Sequence, residues 1–478
     1  MLSTAQTGTK IERGAMTDDL KSLHERIADA LESKDDSRLR SLLTDTRPAD
    51  LAEVFDLLES EARTHILFDI LPPSMAAEVV IELDEAVRGD VVEELEPQEV
   101  ADLASEMDPD DAADVIGELT VQVSEEILEK MPDEVSAPIE ELLGYPEESA
   151  GGIMTTEVVK APVTATVRDA TRLVREALAP DDVHEVYLVD EEDRLAGVVP
   201  LRRLVTNLKE TPLKDICNPD PVIVYAHEDQ ETVLNIIRKY DVPEAAVVDQ
   251  NERLIGIVTY DDLLDVAEEE AEEDLLRMAG TDPAERETSS PFRAARIRLS
   301  WLLPCMLGML ITATVIMLAE PQFEVAIFGA LVPFVPMIGA MGGNTGIQTS
   351  TIVVRGFATG ELAGTKLGRA LYREGRIALL MAPACGLLAW CMVNLILPFL
   401  RNIDQMNPDL VDPVRIACAV GIAMCAAIFV AALLGIALPF IFKSLNVDPA
   451  IASGPIVTTM NDVVSVSIYL SIGMIVAQ

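Results

Sequence analysis

The sequence predicts a mainly α-helical protein in two parts. One is an acidic soluble half, built from a helical superhelix and a tandem α/β module; the other is a five-helix transmembrane domain. Three observations lead there: acidity and hydropathy are segregated, a short Pro-led phrase recurs, and five long apolar segments close the chain. The 478 residues carry 81 Asp+Glu against 36 Lys+Arg, a net charge of −45. A mean hydropathy of +0.26 is far too apolar for a disordered acidic chain. Both hold because residues 1–290 carry 72 acids and 25 bases, whereas residues 291–478 carry 9 acids and 11 bases. The length suggests two to four domains at roughly 100–200 residues each. Whole-chain nucleic-acid binding is excluded, since phosphate contacts need Lys and Arg.

Residues 1–17 read as an N-terminal extension; no apolar stretch follows its charges, so no signal peptide is expected. Residues 18–150 read as an acidic helical-repeat domain. The phrase Pro48-Ala-Asp-Leu-Ala-Glu-Val54 returns from Pro73 to Val79, from Pro97 to Leu103 and from Pro109 to Val115. Pro suits a first helical turn, where its missing N–H is not needed. Starts 25, 24 and 12 residues apart suggest stacked helical hairpins, hence a small superhelix. Residues 18–148 hold 39 acids and 9 bases. That is either a solvated or salt-adapted face, or a surface that must collect cations before it packs against similar charge.

Residues 151–259 alternate strands and helices. Glu185–Asp190, a turn at Glu191–Arg194 and Leu195–Val199 precede a helix from Leu201; Ala245–Asp249, Gln250–Arg253 and Leu254–Thr259 precede one from Asp261. Amphipathic helices at 168–178 and 230–240 lead into each unit. This tandem resembles a pair of cystathionine-β-synthase (CBS) domains, which implies an adenosine-nucleotide site. Such modules often hold a ribose with the Thr and Asp of Gly256-Ile-Val-Thr259-Tyr-Asp-Asp262. The first unit instead has Pro200 and Arg203, so ATP binding is expected to be weak or absent.

Residues 260–290 read as an acidic connecting helix and linker. Asp261–Asp274 holds nine acids in fourteen residues. Asp261, Asp265, Glu269 and Glu273 form one i,i+4 stripe whose like charges disfavour a helix unless something neutralises them. The bland reading is a solvated linker. The functional reading is a cation sensor that includes Asp261, Asp265, Glu269, Glu270 and Glu273.

Residues 291–478 read as five spans, near 298–319, 325–343, 377–400, 414–442 and 449–476, each long enough for a core of about 30 Å. Arg293, Arg296 and Arg298 precede the first span; Arg355, Lys366, Arg369, Arg373 and Arg376 follow the second. The positive-inside rule then places the acidic half in the cytoplasm and the C-terminus outside, in a cell inner membrane. Five of the six Cys lie in apolar segments without ligand spacing and read as small core residues.

The span interiors are nearly free of charge except for Asp462 in Thr458-Thr-Met-Asn461-Asp462. A carboxylate at mid-membrane costs about 2.5–3.5 kcal/mol on insertion scales, so it needs a cavity or a partner. A protonated structural Asp is one reading; an ion pathway is the other. The wall offers oxygen only: Asp462, Asn461, Thr458, Thr459 and carbonyls near Gly454-Pro455, with Asn344 at the end of the second span. Such sites suit Mg²⁺, Ca²⁺ or Mn²⁺. Mg²⁺ keeps its waters and is often held by one or two carboxylates, as one Asp per chain doubled by a two-fold axis would supply. The glycines of Pro336–Ser350 allow close helix approach or an unwound turn.

Gly342-Gly-Asn-Thr-Gly346, Arg355-Gly-Phe-Ala-Thr-Gly360 and Ser453-Gly-Pro-Ile-Val-Thr-Thr459 with Asp462 resemble the signatures of MgtE-type magnesium transporters. The order of domains resembles that family from about residue 20 to the end. The resemblance implies a homodimeric, Mg²⁺-selective channel importing Mg²⁺, with a pore at the dimer axis lined by the second and fifth spans. It also implies closure when cytoplasmic Mg²⁺ binds the acidic N and CBS domains. The expected partners are a second copy, Mg²⁺ and the lipid bilayer. The alternatives are a broader Mn²⁺/Co²⁺ transporter or a membrane-anchored CBS sensor without transport. No nucleophile–base pair or His cluster points to an enzyme.

Overall fold

The computed structural model describes residues 18–55, 57–177, 183–285, 290–362, 366–401, 412–445, 447–452 and 454–477. The chain divides into two compact units, residues 1–266 and 267–478.

In the first unit the N-terminal helices are α1 (Asp18–Glu32), α2 (Asp36–Thr44), α3 (Pro48–Phe55), α4 (Ser60–His65), α5 (Pro73–Ile81), α6 (Glu85–Glu93), α7 (Pro97–Ala104), α8 (Pro109–Gly117), α9 (Val121–Leu128) and α10 (Asp133–Leu142). The Pro-led phrase explains its own repetition. In α3, α5, α7 and α8 the Pro opens the helix. The positions three, four, six and seven residues later are buried in every copy: Leu51, Ala52, Val54 and Phe55 in α3, and Ala112, Ala113, Val115 and Ile116 in α8. The intervening acids Glu53, Glu78, Asp102 and Asp114 are exposed. Each helix thus buries one narrow apolar stripe and leaves the acid between its two halves in water. The odd-numbered helices stack in series, α3 on α5, α5 on α7 and α7 on α9. A π-helical turn, Ile66–Ile70, follows α4 and contributes Ile66, Leu67 and Ile70 to the same core.

The α/β part holds β1 (Lys160–Pro162), α11 (Val167–Glu176), β2 (Glu185–Val189), β3 (Leu195–Pro200), α12 (Leu201–Thr206), β4 (Ile223–Tyr225), α13 (Gln230–Tyr240), β5 (Glu244–Val248) and β6 (Leu254–Thr259). Two three-stranded sheets result, ordered β1-β2-β3 and β4-β5-β6. In each, the first strand is parallel to the second and the second antiparallel to the third. The short leading strands β1 and β4 add to the strand–turn–strand units expected. Both hairpin turns use an Asx cap: Asp190 Oδ1 accepts from the amides of Glu192 and Arg194, and Asp249 Oδ1 from those of Asn251 and Arg253. The hairpins also pair with each other, Leu195 N donating to Glu252 O and Leu254 N to Asp193 O. This reciprocal pairing gives the tandem an internal two-fold.

Helix α14 (Asp262–Ala279) leads toward the spans, and a 3₁₀ turn at Pro283–Glu285 follows it. In the second unit the helices are α15 (Pro291–Ala319), α16 (Val325–Leu331), α17 (Val335–Ala358), α18 (Leu367–Arg401), α19 (Pro413–Ser444) and α20 (Pro455–Val476). Among the described residues five helical segments are long and apolar enough to cross a membrane, α16 and α17 together forming one. The second runs on as helix to Ala358, well beyond the residue 343 expected from hydropathy, with Arg355 its one charged residue. Of the two uses open to the glycines, close helix approach and an unwound turn, the structure has the first, since α17 is helical throughout. The fifth starts at Pro455 rather than 449, after a 3₁₀ turn at Ala450–Ala452. The most buried span is α19, packing on α17, α18 and α20, while α15 packs on α20.

Candidate pore and cation-sensing sites

The glycine-rich face of α17 lies against α20. A Cβ on Gly339 would stand 3.3 Å from Asp462 Oδ1, and one on Gly343 would stand 3.2 Å from Thr458 Cγ2 and 3.5 Å from Asp462 Oδ1. On Gly346 it would collide with Asn461 Nδ2 and stand 2.9 Å from Val457 Cγ1. The patch is therefore a close-packing surface, tight at Gly339 and Gly343 and without room for a methyl at Gly346. It brings Asp462, Thr458 and Asn461 together. Asp462 is partly buried over Gly339 and Gly343; Asn461 is fully buried, and neither of its amide atoms has a hydrogen-bond partner among the described residues. The Thr458 hydroxyl is engaged, donating to the carbonyl of Gly454 at 3.2 Å. Asn344 lies elsewhere: it is exposed, on a stripe of α17 with Pro336, Ala340 and Gln348 at four-residue intervals.

In the soluble unit a cavity of about 680 Å³ opens between the α/β tandem and the first turn of α8. Among the described residues nine carboxylates line it, including Asp108, Asp110, Asp111, Asp261 and Asp262, against Lys160 and His184. Burial with the Asp111 and Asp262 charges nearby pushes Asp110 up to about 8, and burial beside Asp108 and Asp262 pushes Asp111 to about 6. Burial likewise raises Asp262 and Glu157 above the usual carboxylate range. Deeper in the cavity, the Tyr187 hydroxyl donates to Glu244 Oε1 at 2.8 Å across the internal two-fold, and burial beside Glu244 lifts Glu185 to about 7. Thr259 and Asp262 line the cavity too, but satisfy each other: the Thr259 hydroxyl donates to Asp262 Oδ2 at 2.5 Å and its amide at 3.2 Å. Arg203 is committed as well, donating to the Ile216 carbonyl.

A second acidic group surrounds the other end of α14. Burial and the charges of Asp448 and Glu270 push Asp274 up to about 6. Arg277 offsets part of this, bonding Glu273 and donating to Asp448 Oδ2 at 2.7 Å. Of the stripe Asp261, Asp265, Glu269, Glu273, the first three are exposed, while Glu273 is half-buried in its pair with Arg277. On the neighbouring stripe Asp262, Val266, Glu270 and Asp274 share a face, and Val266 is buried. Buried Leu263 and Val266 mark that face in the sequence. Asp110, Asp111 and Asp448 were missed outright; a signal existed in the fourth phrase, the one copy with two acids directly after its Pro. Among the described residues no group of three or more His, Cys, Asp or Glu side chains is spaced to hold a metal ion on its own.

Residues 335–472 match the family described as MgtE, divalent cation transporter, residues 46–148 match the MgtE intracellular N domain, and 150–210 and 213–269 match CBS domains. The magnesium transporter MgtE of Thermus thermophilus is 34% identical over 459 residues, covering 95% of this chain and 98% of that protein. The chain belongs to the MgtE family of transporters. The magnesium transporter MgtE of Enterococcus faecalis is 36% identical over 336 residues, covering 70% of each chain. The chain is also similar to a solved structure described as the cytosolic domain of the Mg²⁺ channel MgtE in complex with ATP: 33% identity, TM-score 0.48, covering 51% of this chain and 99% of that one. With its family and five apolar helices, the chain is a membrane protein.

Proposed function

We propose that this protein is a Mg²⁺-selective channel that admits Mg²⁺ to the cytoplasm and closes when cytoplasmic Mg²⁺ binds its acidic half. The observation that carries the proposal is Asp462, the one acidic residue within α20, set over the glycine face of α17 in a relative of named magnesium transporters. One carboxylate per chain is too little charge for a dehydrated divalent cation, so the site works as a pair across a homodimer axis and takes the ion with its waters. The exposed Asn344 and Gln348 on a membrane helix support a second copy there, since polar side chains in a span face protein or a water-filled cavity. Thr458, Asn461 and Asn344 act around the pair as outer contacts and packing. The basic residues in the first turns of α15 and from the end of α17 into the start of α18 orient the acidic half to the cytoplasmic side of the inner membrane.

Closure follows from the desolvated acids. Asp110 and Asp262 face each other in the soluble unit, and Asp274 and Asp448 in the membrane unit. A divalent cation at either place replaces repulsion with attraction and favours the packed state, a ligand-driven shift between two populations. Asp261, Asp265, Glu269, Glu270 and Glu273 add to the field that draws the cation in. ATP binds weakly or not at all, because nine carboxylates line the cavity that its phosphates would enter. Calorimetry with ATP on the full-length protein checks this; tight binding would contradict it.

Mg²⁺ uptake into liposomes reconstituted with wild type and Asp462→Ala tests the pore. The variant should elute as wild type and carry no Mg²⁺. Wild-type flux through Asp462→Ala would sink the proposal; equal flux of Mn²⁺ and Co²⁺ through wild type would replace Mg²⁺ selectivity with the broader divalent reading.

A further inference from the structure

Helix α18 is 35 residues long, and its uncharged stretch Ile377–Leu400 spans about 36 Å, enough for the hydrocarbon core alone. The preceding turns, Leu367–Arg376, therefore stand outside the core. They are amphipathic. Leu367, Ala370 and Leu371 pack on Val353, Phe357 and Ile436. The outward face carries Lys366, Arg369, Tyr372, Arg373 and Arg376, all exposed. The Arg376 guanidinium lies 5.8 Å from the Tyr372 ring centroid, and Arg373 Nε is held 3.2 Å from the buried Glu374. The one acid of the helix is thus turned inward, and the cationic face is fixed on a packed helix. On the same side the stripe runs on into Leu380 and Leu387, 79% and 61% exposed, which must meet acyl chains.

We propose that Lys366, Arg369 and Arg376 form a docking site for the phosphate headgroups of anionic phospholipids. The continuity of the basic face with the lipid-facing leucines decides the occupant: a headgroup lodged among these cations has its acyl chains already alongside Leu380 and Leu387. Arg and an interfacial Tyr on a preordered helix suit a phosphodiester bearing net negative charge and discriminate against a zwitterionic headgroup.

The test is native mass spectrometry of the purified full-length protein titrated with phosphatidylglycerol or phosphatidylcholine. With three cations at the headgroup plane, wild type should prefer phosphatidylglycerol at least about ten-fold. The K366Q/R369Q/R376Q variant should lose most of that preference, and K366R/R369K/R376K should keep it. No preference in wild type, or full preference in the Gln variant, overturns the proposal. Displacement of bound phosphatidylglycerol by millimolar inorganic phosphate would assign the site to a free anion instead and also overturn it. Should the Gln variant fail to fold, hydrogen exchange of wild type decides: residues 366–376 should exchange more slowly in phosphatidylglycerol nanodiscs than in phosphatidylcholine, and equal rates refute the site.

Discussion

Replacing Asp110 by Asn should make the soluble half behave, without Mg²⁺, as wild type does with it. Asp110 occupies the first turn of α8, where the helix dipole favours its charge, but burial with Asp111 and Asp262 nearby dominates and raises it from 3.8 to about 8. The sign is that of a raised acid. The packed state is unpenalised below the unfolded value near 3.8, and loses stability as pH rises toward about 8. At pH 7 the side chain is held mostly protonated, about three pH units above its free value, at a cost of about 4 kcal/mol at 1.36 kcal/mol per unit. Asn has the same shape and no charge, so Asp110→Asn should recover up to that amount. The assay is limited proteolysis of the full-length protein from pH 6 to 9, with and without millimolar Mg²⁺. Wild type without Mg²⁺ should become more sensitive as pH rises from 6 toward 8 and level off above that, and Mg²⁺ should flatten the profile. Asp110→Asn should be resistant and largely pH-independent in both. If it is cleaved as fast as Mg²⁺-free wild type at pH 7, desolvated Asp110 is not what holds the packed state back.

Asp462→Glu keeps the charge but adds a methylene where Asp462 Oδ1 already stands 3.3 Å from a Cβ position on Gly339, so liposomes should show reduced but measurable Mg²⁺ flux. Gly346→Ala puts a methyl into Asn461 and should cost about 1–3 kcal/mol by overpacking, read as a lowered Tm in detergent. Asp274→Asn removes an acid raised to about 6; at pH 7.5 it should recover at most about 3 kcal/mol, raise the Tm and lessen the further rise that Mg²⁺ gives. An unchanged Tm for Asp274→Asn would mean that Arg277 already neutralises that end of α14.

What the sequence made legible was periodic or compositional. The Pro-led phrase put its buried residues at fixed offsets, and the structure buries those in each of α3, α5, α7 and α8. The apolar spans were visible for the same reason, as was the glycine patch, because four glycines in eight residues of a membrane helix have few uses other than close approach. The leading strands β1 and β4 were invisible: three residues cannot display a period of two, and one of them is Pro162. The sensing acids were legible as a density and not as individuals. Spacing alone favours the stripe of Asp261, Asp265, Glu269 and Glu273, since all four are acidic. Yet a carboxylate matters to a cation sensor when it is forced out of water, and that is decided by the side of the helix that packs. Val266 marks the packed side of α14, and Asp262 and Asp274, which share its face, are both raised by burial. Their partners Asp110 and Asp448 lie about 150 and 170 residues away in sequence, a separation that no local pattern bridges. An acidic helix is therefore better read by finding its few apolar residues first and taking the acids one turn to either side of them.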